Sequence, residues 1–229
     1  MGRSWFDPPN PTGRQAHHER NLRTARPERV EGRAAASFKG PLKRAFLVTG
    51  PPGCGKTTLL RQVVAELRLR VGGFYTEEIR ERGQRRGFRL LTLDGQEAVL
   101  ASVDITGRPR VGKYGVDLAA LERVGVPALE AAAAAADVVV VDEIGKMEMA
   151  SDRFRQAVES ALDGGCCLLG SILLAPHPWA DAIKARPEVL VVGLTPVARE
   201  RIRERLASLV RDCVEQRRRQ RGAAGVEGG

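Results

Sequence analysis

Gly50-Pro51-Pro52-Gly53-Cys54-Gly55-Lys56-Thr57 carries a glycine at each end of a six-residue span, then a lysine and a threonine. It matches G-x-x-x-x-G-K-[ST] at every fixed position. Each residue type has a task. The glycines let the backbone curl so that successive amides point inward around an anion. A helix opening at Lys56 turns its positive end toward the same anion. The lysine places a point charge on β- and γ-phosphates, and the threonine hydroxyl is a magnesium ligand. The chemistry expected is capture of a nucleoside triphosphate with Mg²⁺, with Gly50 to Thr57 in contact with the nucleotide.

A second constellation lies downstream. Val138-Val139-Val140-Val141-Asp142-Glu143 is an apolar strand ending in two carboxylates, the Walker B pattern, whose aspartate helps hold Mg²⁺. Thr57 and Asp142 are therefore the expected metal pair. Glu143 is the expected general base, able to orient and polarise an attacking water. That residue favours hydrolysis over transfer to an acceptor. A transition state on a terminal phosphate also needs nearby positive charge. Lys56 supplies part of it, and Lys146 is the next cation in sequence, with a solvated lysine as the competing reading. Ser171 is a polar sensor if its strand lies beside that of Asp142, and otherwise a strand cap. The basic stretch Arg80 to Arg89 reads as a solvated hairpin tip, with substrate contact as the alternative. His17 and His18 are adjacent rather than at metal-ligand spacing.

These residues need elements to position them. Ala45 to Thr49 is a short apolar run ending at Gly50, a buried strand. Leu59, Leu60, Val63, Val64 and Leu67 recur at helical spacing behind Lys56. Phe74 to Thr76, Phe88 to Leu93 and Ala98 to Ala101 read as strands separated by glycine turns, a small antiparallel insertion. A helix is expected over Val116 to Glu122, and Pro127 opens another through the alanine run to Ala136. Strand 138–141 follows, then a helix over 152–162, a strand over 166–170, a helix over 179–184 and a strand over 189–192. A last helix starts near Pro196 and runs to about Arg219. Such alternation implies an α/β fold with a mostly parallel sheet covered on both faces.

The chain has 229 residues and a formal charge of +9. The charge is not spread evenly: residues 1–44 hold ten Lys/Arg against four Asp/Glu, whereas 45–210 hold 22 against 21. Three regions follow: a basic, weakly structured extension over 1–42, a domain over 43–210 and an Arg-rich tail over 211–229. Basic ends can bind nucleic acid, so such contact is open though not required. Four cysteines without a C-x-x-C pair indicate neither zinc nor disulfides, and Cys166 and Cys167 read as core residues. No apolar stretch reaches membrane-spanning length, and no signal peptide is evident. A cytoplasmic monomer is the expectation.

Together the motifs resemble a family. Gly50 to Thr57, Gly73-Phe74-Tyr75-Thr76-Glu77-Glu78-Ile79-Arg80, Val111 to Val116, and above all Val141-Asp142-Glu143-Ile144-Gly145-Lys146-Met147-Glu148 are similar to the THEP-type, or cancer-related, nucleoside-triphosphatases. Gly170-Ser171-Ile172 and Arg186-Pro187 fit the same pattern. The resemblance implies a P-loop NTPase three-layer sandwich with an additional strand between the Walker A and Walker B strands. It implies Mg²⁺-dependent hydrolysis of ATP, GTP, CTP, UTP and TTP, with diphosphates as poorer substrates. It implies nucleotide contact by Gly50 to Thr57 and by Val138, Val139, Val140, Val141, Asp142, Glu143, Ile144 and Gly145. One departure is Ala198-Arg199, where the family often has Asn-Arg. A nucleoside or nucleotide kinase and a nucleic-acid-associated ATPase remain open as alternatives.

Overall fold

The computed structural model describes residues 42–226. The expected extension over 1–42, apart from Leu42, and the pair His17 and His18 lie outside them. In chain order the elements are β1 (Ala45–Thr49), α1 (Lys56–Leu67), β2 (Val71–Glu81), β3 (Gln84–Thr92), β4 (Glu97–Ser102), β5 (Arg110–Val111), β6 (Tyr114–Val116), α2 (Leu118–Ala120), α3 (Val126–Ala135), β7 (Val138–Ile144), α4 (Asp152–Asp163), β8 (Cys167–Ile172), α5 (Pro178–Ala185), β9 (Val189–Gly193) and α6 (Arg199–Val226).

Among the described residues nine strands join one sheet, ordered β5-β6-β4-β3-β2-β7-β8-β1-β9. From β2 to β9 every pairing is parallel, and from β2 outward to β5 every pairing is antiparallel. The phosphate-loop strand β1 and the Walker B strand β7 are separated by β8, as the resemblance implies. The insertion is not a separate appendage, because β3 to β6 extend the main sheet beyond β2.

Both faces of the parallel part are covered, which explains why its strands are continuous apolar runs rather than alternating ones. Ala45, Leu47, Val139 and Val141 point into a core shared with α3, α4 and α5. Phe46, Val48, Val138 and Val140 point into a second core with α1 and α6. Each of the four valines of β7 is fully buried, and such a side chain contributes roughly 1.5–3 kcal/mol.

Three local expectations change. Val116 ends a strand, and the helix begins after Asp117, whose Oδ1 accepts from the N–H of Ala120 (2.9 Å). Pro127 does stand in the first turn of α3, but no break separates that helix from α2. The π turn Leu121–Gly125 joins α2 to α3, with the Val126 N–H donating to the Leu121 carbonyl five residues back. That wider turn accommodates a residue with no N–H and a ring that crowds the preceding turn. The hairpin of β5 and β6 is additional: Val111 pairs with Tyr114 across Gly112-Lys113. Cys166 and Cys167 lie in the core as expected. The last helix passes residue 210 without a break and continues to Val226.

Candidate active site

The site forms where the parallel strands end. β1 delivers Gly50, and α1 starts six residues later at Lys56. Gly53 and Gly55 adopt φ of 77° and 90°, a region that only glycine enters without strain. The loop Gly50–Gly55 thereby wraps around the N-terminus of α1. The Leu59 N–H donates to the Gly55 carbonyl (3.0 Å), closing the first helical turn. Pro51, Pro52 and Gly53 are exposed at the rim.

Lys56 is 9% exposed, and its Nζ lies 3.3 Å from the Gly50 carbonyl and 3.6 Å from Glu143 Oε2. Residues 87 positions apart in sequence thus meet. Glu143 is one-third exposed, so its carboxylate borders solvent while still within reach of the loop lysine. Asp142, one residue earlier, is buried at 1%. The Ser171 hydroxyl donates to Asp142 Oδ1, and the Thr57 side chain stands near the same carboxylate. Burial pushes the Asp142 carboxyl up, and the polar neighbours Ser171 and Thr57 work against that.

Asp142 Oδ2 has no hydrogen-bond partner although it is fully buried. An orphaned carboxylate oxygen beside a threonine hydroxyl fits a hard divalent cation, which takes oxygen ligands. Among the described residues no group of three or more His, Cys, Asp or Glu could hold a metal unaided. A cation bound by Thr57 and Asp142 would therefore take its remaining oxygens from phosphates and water, as magnesium does in nucleotide sites. The residues present fit Mg²⁺.

Other sequence candidates separate. Ser171 lies within β8 beside β7 and is fully buried, so it is not a strand cap. Lys146 is exposed in the turn between β7 and the 3₁₀ segment Glu148–Ala150. Val138, Val139, Val140 and Val141 do not line the site. Their side chains fill the two cores, and their part is to carry Asp142 to the sheet edge. Ile144 is likewise a core residue, whereas Gly145 sits inside the loop that follows. Most of the basic tip is neutralised in place: Arg80 and Arg85 pair with Glu78, Arg86 with Glu81 and Asp104, and Arg89 with Glu77 and Glu97. Arg82, exposed at the turn, is in none of these pairs.

Three neighbours were not among the candidate site residues: Tyr75 and Glu148 entered only as parts of segments that carry the family resemblance, and Arg199 only as part of the departure Ala198-Arg199. Glu148 is 4% exposed and folds back against Gly145, 2.8 Å from where a Cβ there would stand. Burial pushes its carboxyl up to about 8, and the charges of Glu143 and Asp142 add to the shift. Tyr75 lies across from Asp142 in the β2–β7 pairing, with the Arg61 guanidinium 4.8 Å above its ring. Burial pushes its phenol up to about 12. Arg199, the first residue of α6, donates through Nη2 to the Cys54 carbonyl (2.7 Å).

The family model described as NTPase matches residues 45–207. A nucleoside-triphosphatase THEP1 of Thermotoga sp. (strain RQ2) is 42% identical over 166 residues, 72% of this chain and 95% of that protein. The human cancer-related nucleoside-triphosphatase is 37% identical, covering 78% of this chain and all of its own length. Among solved structures, THEP1 from the hyperthermophile Aquifex aeolicus superposes with a TM-score of 0.68 at 36% identity, over 72% of this chain and 98% of that one. With its phosphate loop, paired carboxylates and intervening strand in this arrangement, the chain belongs to the THEP-type nucleoside-triphosphatase family.

Proposed function

We propose that this protein is a Mg²⁺-dependent nucleoside-triphosphate phosphohydrolase of broad base specificity, converting ATP, GTP, CTP, UTP or TTP to the diphosphate and phosphate, and cleaving diphosphates more slowly. The observation that carries the reading is the approach of Glu143 Oε2 to within 3.6 Å of Lys56 Nζ. The contact supports a carboxylate acting beside the lysine that would hold the terminal phosphate.

The loop amides and Lys56 bind and orient the phosphate chain, an electrostatic task suited to a fixed set of donors. Thr57 and Asp142 would hold Mg²⁺, which supplies charge neutralisation at the phosphate oxygens when bound. Ser171 fixes the rotamer of Asp142 through its hydrogen bond. Glu143 accepts a proton from the attacking water and holds that water in line. The described residues include no helix long and apolar enough to cross a membrane. All four cysteines are free thiols, which suits a reducing cytosol, and we take the working form to be a monomer.

The test is phosphate release from several triphosphates with Mg²⁺, each with and without a nucleoside acceptor and with and without RNA. Base-indifferent release without acceptor supports hydrolysis. Release that requires a nucleoside would make the protein a kinase. A large stimulation by RNA that disappears at higher salt would make it a nucleic-acid-associated ATPase.

A further inference from the structure

Glu143 and Asp142 stand on β7, on one side of β1, and they mark the end for the terminal phosphate. On the phosphohydrolase reading the nucleoside would extend toward the other flank of β1, where β9 lies and the start of α6 follows. That flank is in contact with the loop. The Leu194 N–H donates to the Thr49 carbonyl (2.8 Å), and Leu194 backs onto Gly50. Five residues on, Arg199 is tied to the Cys54 carbonyl. Its guanidinium is laid against the bare Cα of Gly55, so closely that a Cβ there would stand 2.8 Å from Cζ.

Between Leu194 and Arg199 the chain makes the 3₁₀ turn Pro196–Ala198. Val197 in this turn is 99% exposed, while the other exposed large apolar side chains are 38–52% exposed. An apolar side chain wholly in water and a planar cation tethered to the phosphate loop thus stand two residues apart on the nucleoside flank.

We propose that Val197 and Arg199 form the nucleoside seat. A guanidinium stacks on the face of any base, and a valine packs on any base, since every base has a π-face and the contact reads no edge. This rests on the phosphohydrolase reading and gives breadth of base use a physical source. The hydrogen bond to Cys54 holds the guanidinium plane in place before the nucleotide arrives, which lowers the ordering cost of stacking.

The experiment is equilibrium binding by calorimetry, with Mg²⁺ present, of ATP, CTP and inorganic tripolyphosphate, which carries the phosphates without a nucleoside. Arg199→Ala is expected to weaken ATP and CTP by about 5- to 30-fold each, with tripolyphosphate affinity held within about twofold. Val197→Ser, at a position where folding is indifferent, is expected to weaken both nucleotides by about two- to fivefold and tripolyphosphate not at all. Equal losses for tripolyphosphate and nucleotides would assign Arg199 to the phosphates or to loop support and overturn the seat. So would unchanged nucleotide binding in either variant, or a loss confined to one base. Should Arg199→Ala not fold, Val197→Ser decides. Because the readout is binding, tight nucleotide binding without phosphate release would sink the phosphohydrolase reading and leave the seat to be judged separately.

Discussion

Lys56 and Glu143 are held by one another as well as by the chemistry they would perform, so their variants should fail in different ways. Lys56→Ala removes the charge aimed at the β- and γ-phosphates, and triphosphate binding by calorimetry is expected to fall at least tenfold. Glu143→Gln keeps the shape but cannot accept a proton. Its affinity should stay near wild type while the phosphate-release rate falls about 10²- to 10⁴-fold. Normal turnover by this variant would remove Glu143 from the base role. Glu148 affects stability instead. Its folded carboxyl is raised from 4.5 to about 8, so the folded state holds a proton that the unfolded chain gives up at lower pH. Stability from this group is full below about pH 4.5 and is lost as pH rises toward 8. Glu148→Gln, permanently neutral, should match wild type at pH 5 and melt higher than wild type at pH 8.5. Parallel melting curves for both proteins across that range would refute this. Lys56, Thr57, Asp142 and Glu143 were legible from sequence because phosphate and metal chemistry fixes residue type and spacing. Glu148 and Arg199 were visible only as members of longer segments, and the Ser171–Asp142 contact only on the condition that their strands adjoin, since their roles come from contacts made in the folded chain: Arg199 stands 145 residues from the carbonyl it binds.

The elements follow from burial on two faces. β7 and β8 are sandwiched between helices, and truncating a side chain in either leaves a hole that neighbours cannot close. Leu169 of β8 is fully exposed to packing on the α1–α6 side and not at all to water. Leu169→Ala is expected to cost about 2–5 kcal/mol in a urea titration, without moving Asp142, whose partner Ser171 lies two residues on. A cost below about 1 kcal/mol would show that this core collapses around the cavity. The same two-sided burial made β1, β7, β8 and β9 readable from sequence, because continuous apolar runs have few other uses in a charged chain. Elements that escaped lack such a signal. β5 has two residues and β6 three, too short for alternation to show. The π turn before Pro127 looked like a break between helices, since proline removes a donor, and the sequence does not reveal that a wider turn bridges it.

The whole molecule is held from both ends of the parallel sheet by α6, and this changes where the domain stops. A boundary at residue 210 follows from charge alone, because the Arg-rich segment begins there. The helix beyond it is nonetheless anchored. Cys213 and Val214 are each 3% exposed. Arg211 donates to the Glu66 carbonyl at the end of α1 (3.2 Å), and Arg218 pairs with Asp137, which leads into β7 (3.0 Å). Arginines that look like a solvated tail in a composition count are thus partly spent on the main fold, while the helix side facing α1 and β8 is apolar. Deleting 211–229 would strip a buried valine and cysteine from the second core and remove the Arg218 partner of a nearly buried aspartate. Burial of such side chains is worth roughly 1.5–3 kcal/mol each, so the shortened protein should lose about 3 kcal/mol or more, read as a lower urea midpoint. The loss should appear equally at low and high salt, since most of it is apolar packing rather than exposed ion pairing. An unchanged midpoint would restore the boundary at 210 and make the end of α6 an independent basic arm.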